Sequence, residues 1–158
     1  MQMTHYMQLL ADNQPWNLLL FMAIPVILAE TVAVTELYIL FSRNITGKAK
    51  KINTVAGTAV GIYFVGVFAY LLANAVIPLT VAGEWRGLAD IMAVGFYLAG
   101  VIPLGGIALL GLGLFKKGES EETKLRWHAI FVAVFLIVAH VAMIFGMLNP
   151  TVLGWMPA

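Results

Sequence analysis

Four long apolar stretches dominate this chain, at about residues 16–43, 53–78, 88–115 and 124–148. Each is long enough to cross a bilayer, which needs about 20 consecutive apolar residues. Hydrophobic residues make up 61% of the chain and charged residues only 11%, whereas soluble domains are about a quarter charged. The sequence therefore excludes an ordinary soluble fold. It predicts a single all-α domain over residues 1–158, a polytopic membrane protein with a four-transmembrane-helix bundle in contact with the lipid bilayer.

The basic residues predict how this bundle is oriented. The second loop holds only Arg86, and the segment before Trp16 holds no Lys or Arg. The other basic residues lie in or beside the first and third loops: Arg43, Lys48, Lys50, Lys51, Lys116, Lys117, Lys124 and Arg126. By the positive-inside rule, loops one and three then face the cytoplasm and both termini lie outside. We expect a multi-pass protein of a bacterial or archaeal inner membrane, with a short amphipathic N-terminal segment on the outer surface.

Glu30 lies in the middle of the first apolar stretch, far from any basic residue. A carboxylate at bilayer depth is unfavourable, so it tends to face a bundle interior and to mark a functional site. At 1.5 Å per residue, Glu30 lies roughly 20 Å from the inner end of the first helix, and His140 lies roughly 22 Å from that of the fourth. These two helices are neighbours in an up-down bundle. We therefore expect Glu30 and His140 to form a pair.

A second carboxylate and histidine match less closely, nearer the cytoplasmic side. Glu36 lies roughly 10 Å deep and His128 roughly 5 Å deep. Two structural interpretations compete with a functional pair: Glu36 can link to Arg43 on the same helix face, and His128 can simply sit at the membrane interface beside Trp127. Glu30, Glu36 and His128 are thus predicted to form either a proton relay or a hydrogen-bonded polar core.

Methionines surround His140 on its own helix, at i+3 and i+7. A histidine with thioether neighbours suits a transition metal or a haem, although methionine is also common as core filler. The predicted metal ligands are His140, Glu30, Met143 and Met147, and the predicted haem ligands are His140, Met22 and His5.

Backbone-breaking and small residues predict local features of the helices. Pro25 should interrupt the hydrogen bonds of the first helix and free the Phe21 carbonyl. Gly57 and Gly61 form a small-xxx-small pattern that permits close contact with another helix. Asp90, at the outer end of the third stretch, suits the positive end of a helix dipole.

The segments Pro25-Val-Ile-Leu-Ala-Glu30 and Ala139-His-Val-Ala-Met143 resemble an uncharacterised family of small four-helix bacterial inner-membrane proteins, sometimes labelled permease-like. The resemblance covers nearly the whole chain and implies the four-helix fold, but no mechanism. A weaker resemblance, to four-helix membrane cytochromes b, implies haem b and a quinone or redox partner. Those proteins usually carry histidine pairs on different helices, whereas this chain has three histidines, two of them on one helix.

Three functions remain open from the sequence. The first is binding of haem b or a transition-metal ion in the outer half of the bundle, for electron transfer or metal handling. The second is a small proton-coupled transporter that uses Glu30 and His140 and works as a homo-oligomer. The third is an accessory subunit of a larger membrane complex.

Some classes of chemistry are not expected. The chain has no cysteine, so thiolate zinc and iron–sulfur sites are excluded. A hydrolase is not expected because no Ser–His–acid set lies on one accessible surface and the sequence has no phosphate-binding glycine loop. Nucleic-acid binding is not expected either, since membrane topology accounts for the basic residues.

Overall fold

A computed structural model of the protein describes residues 3–156. A short helix, α1 (His5–Ala11), precedes four long helices: α2 (Trp16–Ser42), α3 (Lys48–Ala82), α4 (Gly87–Gly111) and α5 (Glu121–Met147). A 3₁₀ turn, Pro150–Leu153, follows α5. Each long helix is long and apolar enough to cross a membrane. The prediction of an all-α, four-span membrane protein is therefore confirmed.

Local signals set several helix ends. α1 and α5 begin after Thr4 and Ser120, whose hydroxyl oxygens accept hydrogen bonds from backbone N–H groups of the first turn, as N-cap residues do. α2 and α3 end at Arg43 and Gly83, which adopt the left-handed conformation (φ 53° and 68°) that commonly ends a helix. We call the end of the bundle with the α2–α3 and α4–α5 loops the basic end, and the opposite end the N-terminal end.

Helices α3 and α4 form the centre of the bundle. α2 packs along α3, while α4 packs on α3 with its half at the basic end and on α5 along its whole length. Half of the apolar window of α4 is buried (50%), against 22% in α2 and 17% in α5. α2 and α5 therefore flank a central pair, and they contact each other only sparsely. The core contains Val32, Val60, Phe64, Leu104, Ile107 and Val132.

Two glycines of α3 allow its close approach to α4. A Cβ atom at Gly57 would lie 2.6 Å from Ile107 Cγ2. A Cβ atom at Gly61 would meet the Leu104 carbonyl oxygen and lie 2.5 Å from Ala108 Cβ. Any side chain at these two positions would overlap α4, so the predicted close helix contact is confirmed.

Pro25 disturbs α2 as expected. A π-helical turn precedes it. Pro25 has no N–H to donate to the Phe21 carbonyl, four residues earlier as in an α-helix, or to the Leu20 carbonyl, five residues earlier as in a π-helix. The Tyr97 hydroxyl donates to the Phe21 carbonyl at 2.5 Å, and the Tyr63 hydroxyl donates to the Leu20 carbonyl at 2.9 Å. Side chains of α3 and α4 thus satisfy the carbonyls that the proline frees, which polar groups in a bilayer require.

The N-terminal segment packs into the bundle. The Thr4 hydroxyl donates to the Gly146 carbonyl at 2.7 Å, and Leu10 is only 4% exposed. The Tyr6 ring lies 5.1 Å from the Tyr97 ring, and burial raises the pKa of Tyr6 to about 12. The apolar face predicted for this segment therefore contacts the N-terminal end of the bundle.

Candidate functional site

Three buried polar side chains meet near the basic end, and we call them the inner cluster. They are Glu36 of α2, Asn53 of α3 and His128 of α5, with exposed fractions of 2%, 0% and 5%. Each lies between about one and a half and two helical turns from the basic end of its helix. Three separate helices thus direct their polar groups into the protein, away from the surface.

A close charge contact joins α2 to α5 in this cluster. His128 Nδ1 lies 2.8 Å from Glu36 Oε2. This is an ion-pair distance when the ring is protonated, but the ring N–H does not point along the line to the oxygen, so the contact is not a regular hydrogen bond. A carboxylate and an imidazole at this distance can share a single proton, in an ionic or a neutral form.

Asn53 fixes the position of the Glu36 carboxylate. Its Nδ2 atom lies 3.1 Å from Glu36 Oε2, 3.1 Å from the Val32 carbonyl oxygen and 3.0 Å from Thr35 Oγ1. All three acceptors belong to α2, so one amide group of α3 holds this stretch of α2 in register. The orientation of the amide follows from these contacts, because only the nitrogen can donate.

Two acceptor oxygens of the cluster have no donor. Glu36 Oε1 and Asn53 Oδ1 are buried, and neither accepts a hydrogen bond from any residue between 3 and 156. A buried acceptor without a donor is unfavourable. A proton on Glu36 would convert an acceptor atom into a donor, so the cluster has the chemistry to take up one further proton.

The close packing of α3 gives His128 its place. A Cβ atom at Gly57 would lie 3.6 Å from His128 Nε2, so the ring of α5 rests against the α3 backbone. The glycine predicted for helix packing therefore also lies beside the candidate site.

A groove between α2 and α5 lies next to the inner cluster. Its volume is about 480 Å³. Leu40 lines it one turn after Glu36, and Ala129 lines it immediately after His128. The remaining lining residues are Glu122, Leu125, Arg126, Ile130 and Ala133. The ion pair thus joins α2 and α5, and the groove lies between these same two helices.

A second polar group, the outer cluster, lies at the N-terminal end. Asp90 is fully buried and accepts hydrogen bonds from the backbone N–H groups of His5 (2.6 Å) and Arg86 (3.2 Å). His5 Nδ1 also lies 2.6 Å from Asp90 Oδ2. The Arg86 guanidinium donates to the Met3 carbonyl at 2.5 Å and to Gln8 Oε1 at 2.6 Å. These contacts fasten α1 to the start of α4.

The structure does not bring Glu30 and His140 together. Both side chains are exposed, and His140 Nδ1 contacts the Leu136 carbonyl of its own helix at 2.6 Å. No ion pair between residues 3 and 156 joins them. The expectation that Glu30 faces the interior is wrong, because α2 turns the side that carries Glu36, and not the side that carries Glu30, towards α3.

Of the two predicted pairs, the one between Glu36 and His128 forms. Glu36 contacts His128, and within the described chain no ion pair links Glu36 to the exposed Arg43. The interpretation of His128 as an interfacial residue is also wrong, since its side chain is buried.

The other predicted ligands lie on different parts of the molecule. Met143 and Met147 are 42% and 68% exposed on α5, Met22 packs against the core, and His5 belongs to the outer cluster. Within residues 3–156, no group of three or more His, Cys, Asp or Glu side chains is placed to hold a metal ion. Roles for His140 and these residues as metal or haem ligands stay predictions.

Sequence reasoning missed Asn53 and the contact between His5 and Asp90. Asn53 follows two lysines near a helix start, where an asparagine normally faces water. Asp90 was assigned only a helix-end role, and 85 residues separate it from His5. No local pattern signals either contact.

Comparison with known proteins identifies a family. No curated protein and no solved structure matches this chain. A family model, by contrast, matches its entire length, residues 1–158. The resemblance to an uncharacterised family of small four-helix membrane proteins is thereby confirmed, and the chain belongs to DUF6803, a family of unknown function.

Proposed function

We propose that this protein is a small membrane transporter of protons, in which Glu36 and His128 bind the proton. The observation that carries the proposal is their buried contact, 2.8 Å long, between two helices that otherwise touch sparsely. Ionisable residues within membrane spans are unfavourable and often belong to proton or ion pathways. By the positive-inside rule, the basic end and the inner cluster near it lie on the cytoplasmic side.

The ion pair acts as a link between α2 and α5. An ionised Glu36 and a protonated His128 attract each other strongly where the surroundings have a low dielectric constant. Adding a proton to Glu36, or removing one from His128, takes away one of the two charges and weakens the link. Because the groove lies between the same helices, a weaker link lets it widen towards the basic end, where Glu122 and Arg126 line it.

The inner cluster supports transport more directly than it supports a cofactor. Its side chains are enclosed, they contact one another, and they connect two helices that otherwise touch sparsely. The predicted metal ligands of α5, by contrast, lie on an exposed helix surface. A proton is the species that the enclosed cluster can bind without further ligands.

Spin-label distances test the coupling between proton and groove. The chain contains no cysteine, so labels can be attached at Phe41→Cys on α2 and Glu121→Cys on α5, both exposed. We expect the distance between these labels to lengthen as the pH is raised through the point at which the Glu36–His128 pair loses its proton. In Glu36→Gln the distance should not change with pH. A distance independent of pH in the otherwise unaltered protein would contradict the proposed link.

Proton flux tests the transport function itself. Purified protein in liposomes that contain a pH-sensitive dye should carry protons along an imposed gradient. Glu36→Gln and His128→Gln should lower the rate to that of empty liposomes. Glu84→Gln, which changes an exposed loop carboxylate, should behave as the unaltered protein does. Proton flux that persists in both inner-cluster variants would contradict the assignment of the site to Glu36 and His128. Absence of flux in the unaltered protein would contradict the transport function.

A further inference from the structure

The groove between α2 and α5 has an apolar interior and a charged end. Five aliphatic side chains line the interior: Leu40, Leu125, Ala129, Ile130 and Ala133. The two charged lining residues, Glu122 and Arg126, lie within the first two turns of α5. Within residues 3–156, neither of them takes part in an ion pair, whereas the neighbouring Glu121 pairs with Lys124 at 2.8 Å. The groove therefore offers a ligand two charges of opposite sign beside an apolar surface.

The groove extends through one leaflet of the bilayer. α5 has 27 residues and is therefore about 40 Å long, which equals the thickness of a bilayer with its headgroup regions. The first turn of α5, which carries Glu122, thus lies at the level of the headgroups. Ala133 lies roughly 18 Å from the start of α5, near the midplane of the bilayer. The groove accordingly covers the depth that one lipid molecule occupies.

We propose that this groove binds one molecule of phosphatidylethanolamine from the leaflet at the basic end, with its phosphate on Arg126 and its ammonium group on Glu122. An acyl chain lies along the aliphatic lining. Because α2 and α5 flank the central pair of helices and touch each other sparsely, the groove between them opens to the surrounding lipid. Neither Glu36 nor His128 lines the groove, so the inference goes beyond the proposed transport function and does not depend on it.

The two charges select the headgroup. The planar guanidinium of Arg126 can donate two parallel hydrogen bonds to a phosphate. The Glu122 carboxylate accepts hydrogen bonds from a primary ammonium group, whereas the trimethylammonium group of phosphatidylcholine has no N–H to donate. Glu122 and Arg126 lie one turn apart on the same helix face, which suits the short ethylene arm between phosphate and nitrogen. An anionic headgroup such as phosphatidylglycerol would leave Glu122 without a partner.

Titration with lipid tests the choice of headgroup. Protein freed of lipid in detergent would be titrated with phosphatidylethanolamine, phosphatidylcholine or phosphatidylglycerol of identical acyl chains, and native mass spectrometry would count the bound lipid. We expect one molecule of phosphatidylethanolamine to bind about three- to tenfold more tightly than either other lipid. Glycerophosphoethanolamine, the same headgroup without acyl chains, should bind at least about tenfold more weakly, because it cannot cover the apolar lining.

Charge substitutions test the two polar contacts. Glu122→Gln should remove the preference for phosphatidylethanolamine over phosphatidylcholine and leave the affinity for phosphatidylcholine unchanged. Arg126→Gln should weaken the binding of both lipids about three- to tenfold, because both carry the phosphate. Glu119→Gln and Lys117→Gln are the matched controls, since both residues are exposed at the same end but lie outside the groove. They should bind both lipids as the unaltered protein does.

A larger side chain in the apolar lining tests the location of the site. Ala133→Phe should fill the groove and abolish the binding, whereas Ala59→Phe, exposed on α3 at a similar depth, should leave it unchanged. Unchanged helical circular dichroism would show that both variants fold.

Several results would overturn the proposal: equal affinity for the three lipids, tightest binding of phosphatidylglycerol, or equal affinity for the headgroup without acyl chains. A preference that survives Glu122→Gln, or binding that survives Ala133→Phe, would overturn it as well. Because the titration involves no proton gradient, its outcome is independent of the proton flux measured in liposomes.

Discussion

Replacement of Gly61 by alanine should force the two central helices apart. The new methyl group would meet the Leu104 carbonyl oxygen and lie 2.5 Å from Ala108 Cβ. Carbon atoms in ordinary contact are about 3.5–4.0 Å apart, so the methyl group needs roughly 1 Å more room. A backbone carbonyl and a Cβ atom cannot rotate away, and the helices themselves must therefore move.

The separation would occur where the core is best packed. Val60, Phe64 and Leu104 are each no more than 2% exposed, and an extra methyl group in such a core typically lowers the free energy of unfolding by about 1–3 kcal/mol. At this chain length each kcal/mol corresponds to about 2–4 °C in Tm. We therefore expect Gly61→Ala to lower Tm by about 2–12 °C.

Thermal unfolding of the detergent-purified protein, followed by circular dichroism, measures this effect. Gly66→Ala is the matched control, because it lies on the same helix and no atom lies within 4 Å of its added Cβ. It should leave Tm unchanged or raise it slightly, since alanine favours a helix over glycine. Adding Ala108→Gly to Gly61→Ala removes one of the two overlaps and should recover part of the loss. Equal Tm values for Gly61→Ala and Gly66→Ala would refute the reasoning.

Three further predictions concern the proline site, the outer cluster and the cofactor. Tyr97→Phe removes the hydroxyl that bonds a carbonyl freed by the proline, and it should lower the free energy of unfolding by about 0.5–1.5 kcal/mol; the exposed Tyr70→Phe should have a smaller effect in the same unfolding assay. Asp90→Asn weakens the attachment of α1, so hydrogen–deuterium exchange of the α1 amides should accelerate while that of α5 stays the same; unchanged α1 exchange would argue against the outer cluster as its anchor. If His140 ligates haem b, purified protein should absorb near the Soret region and His140→Ala should lose that band; a colourless protein would end the haem prediction.

The spans and their number follow from the sequence because they depend on local properties. A bilayer of fixed thickness selects apolar stretches of about 20 residues, and only helices or closed barrels satisfy backbone groups within it. The effect of Pro25 is local as well, since a missing N–H leaves nearby carbonyls without a donor. The pattern of Gly57 and Gly61 predicted a close contact with another helix, but it did not predict which helix that would be.

The candidate site was only half predictable. From their depth along each helix, we expected two pairs, Glu36 with His128 and Glu30 with His140. The sequence favoured the pair of Glu30 with His140, which does not form. The two glutamates are six residues apart, about 120° around the helix, so only one of them can face the core. The rotation of α2 decides between them, and that rotation is set by the side chains that pack on α3, Val32 among them.

The sequence by itself determined which segments are long and apolar enough to enter the membrane, because transfer into lipid is a property of each residue and its neighbours along the chain. Only the tertiary structure decided that Asn53 would hold Glu36 and that His5 would meet Asp90. Such contacts depend on how all the helices rotate and tilt against one another at once. That arrangement is fixed by many simultaneous packing contacts between distant parts of the chain, which no local pattern records.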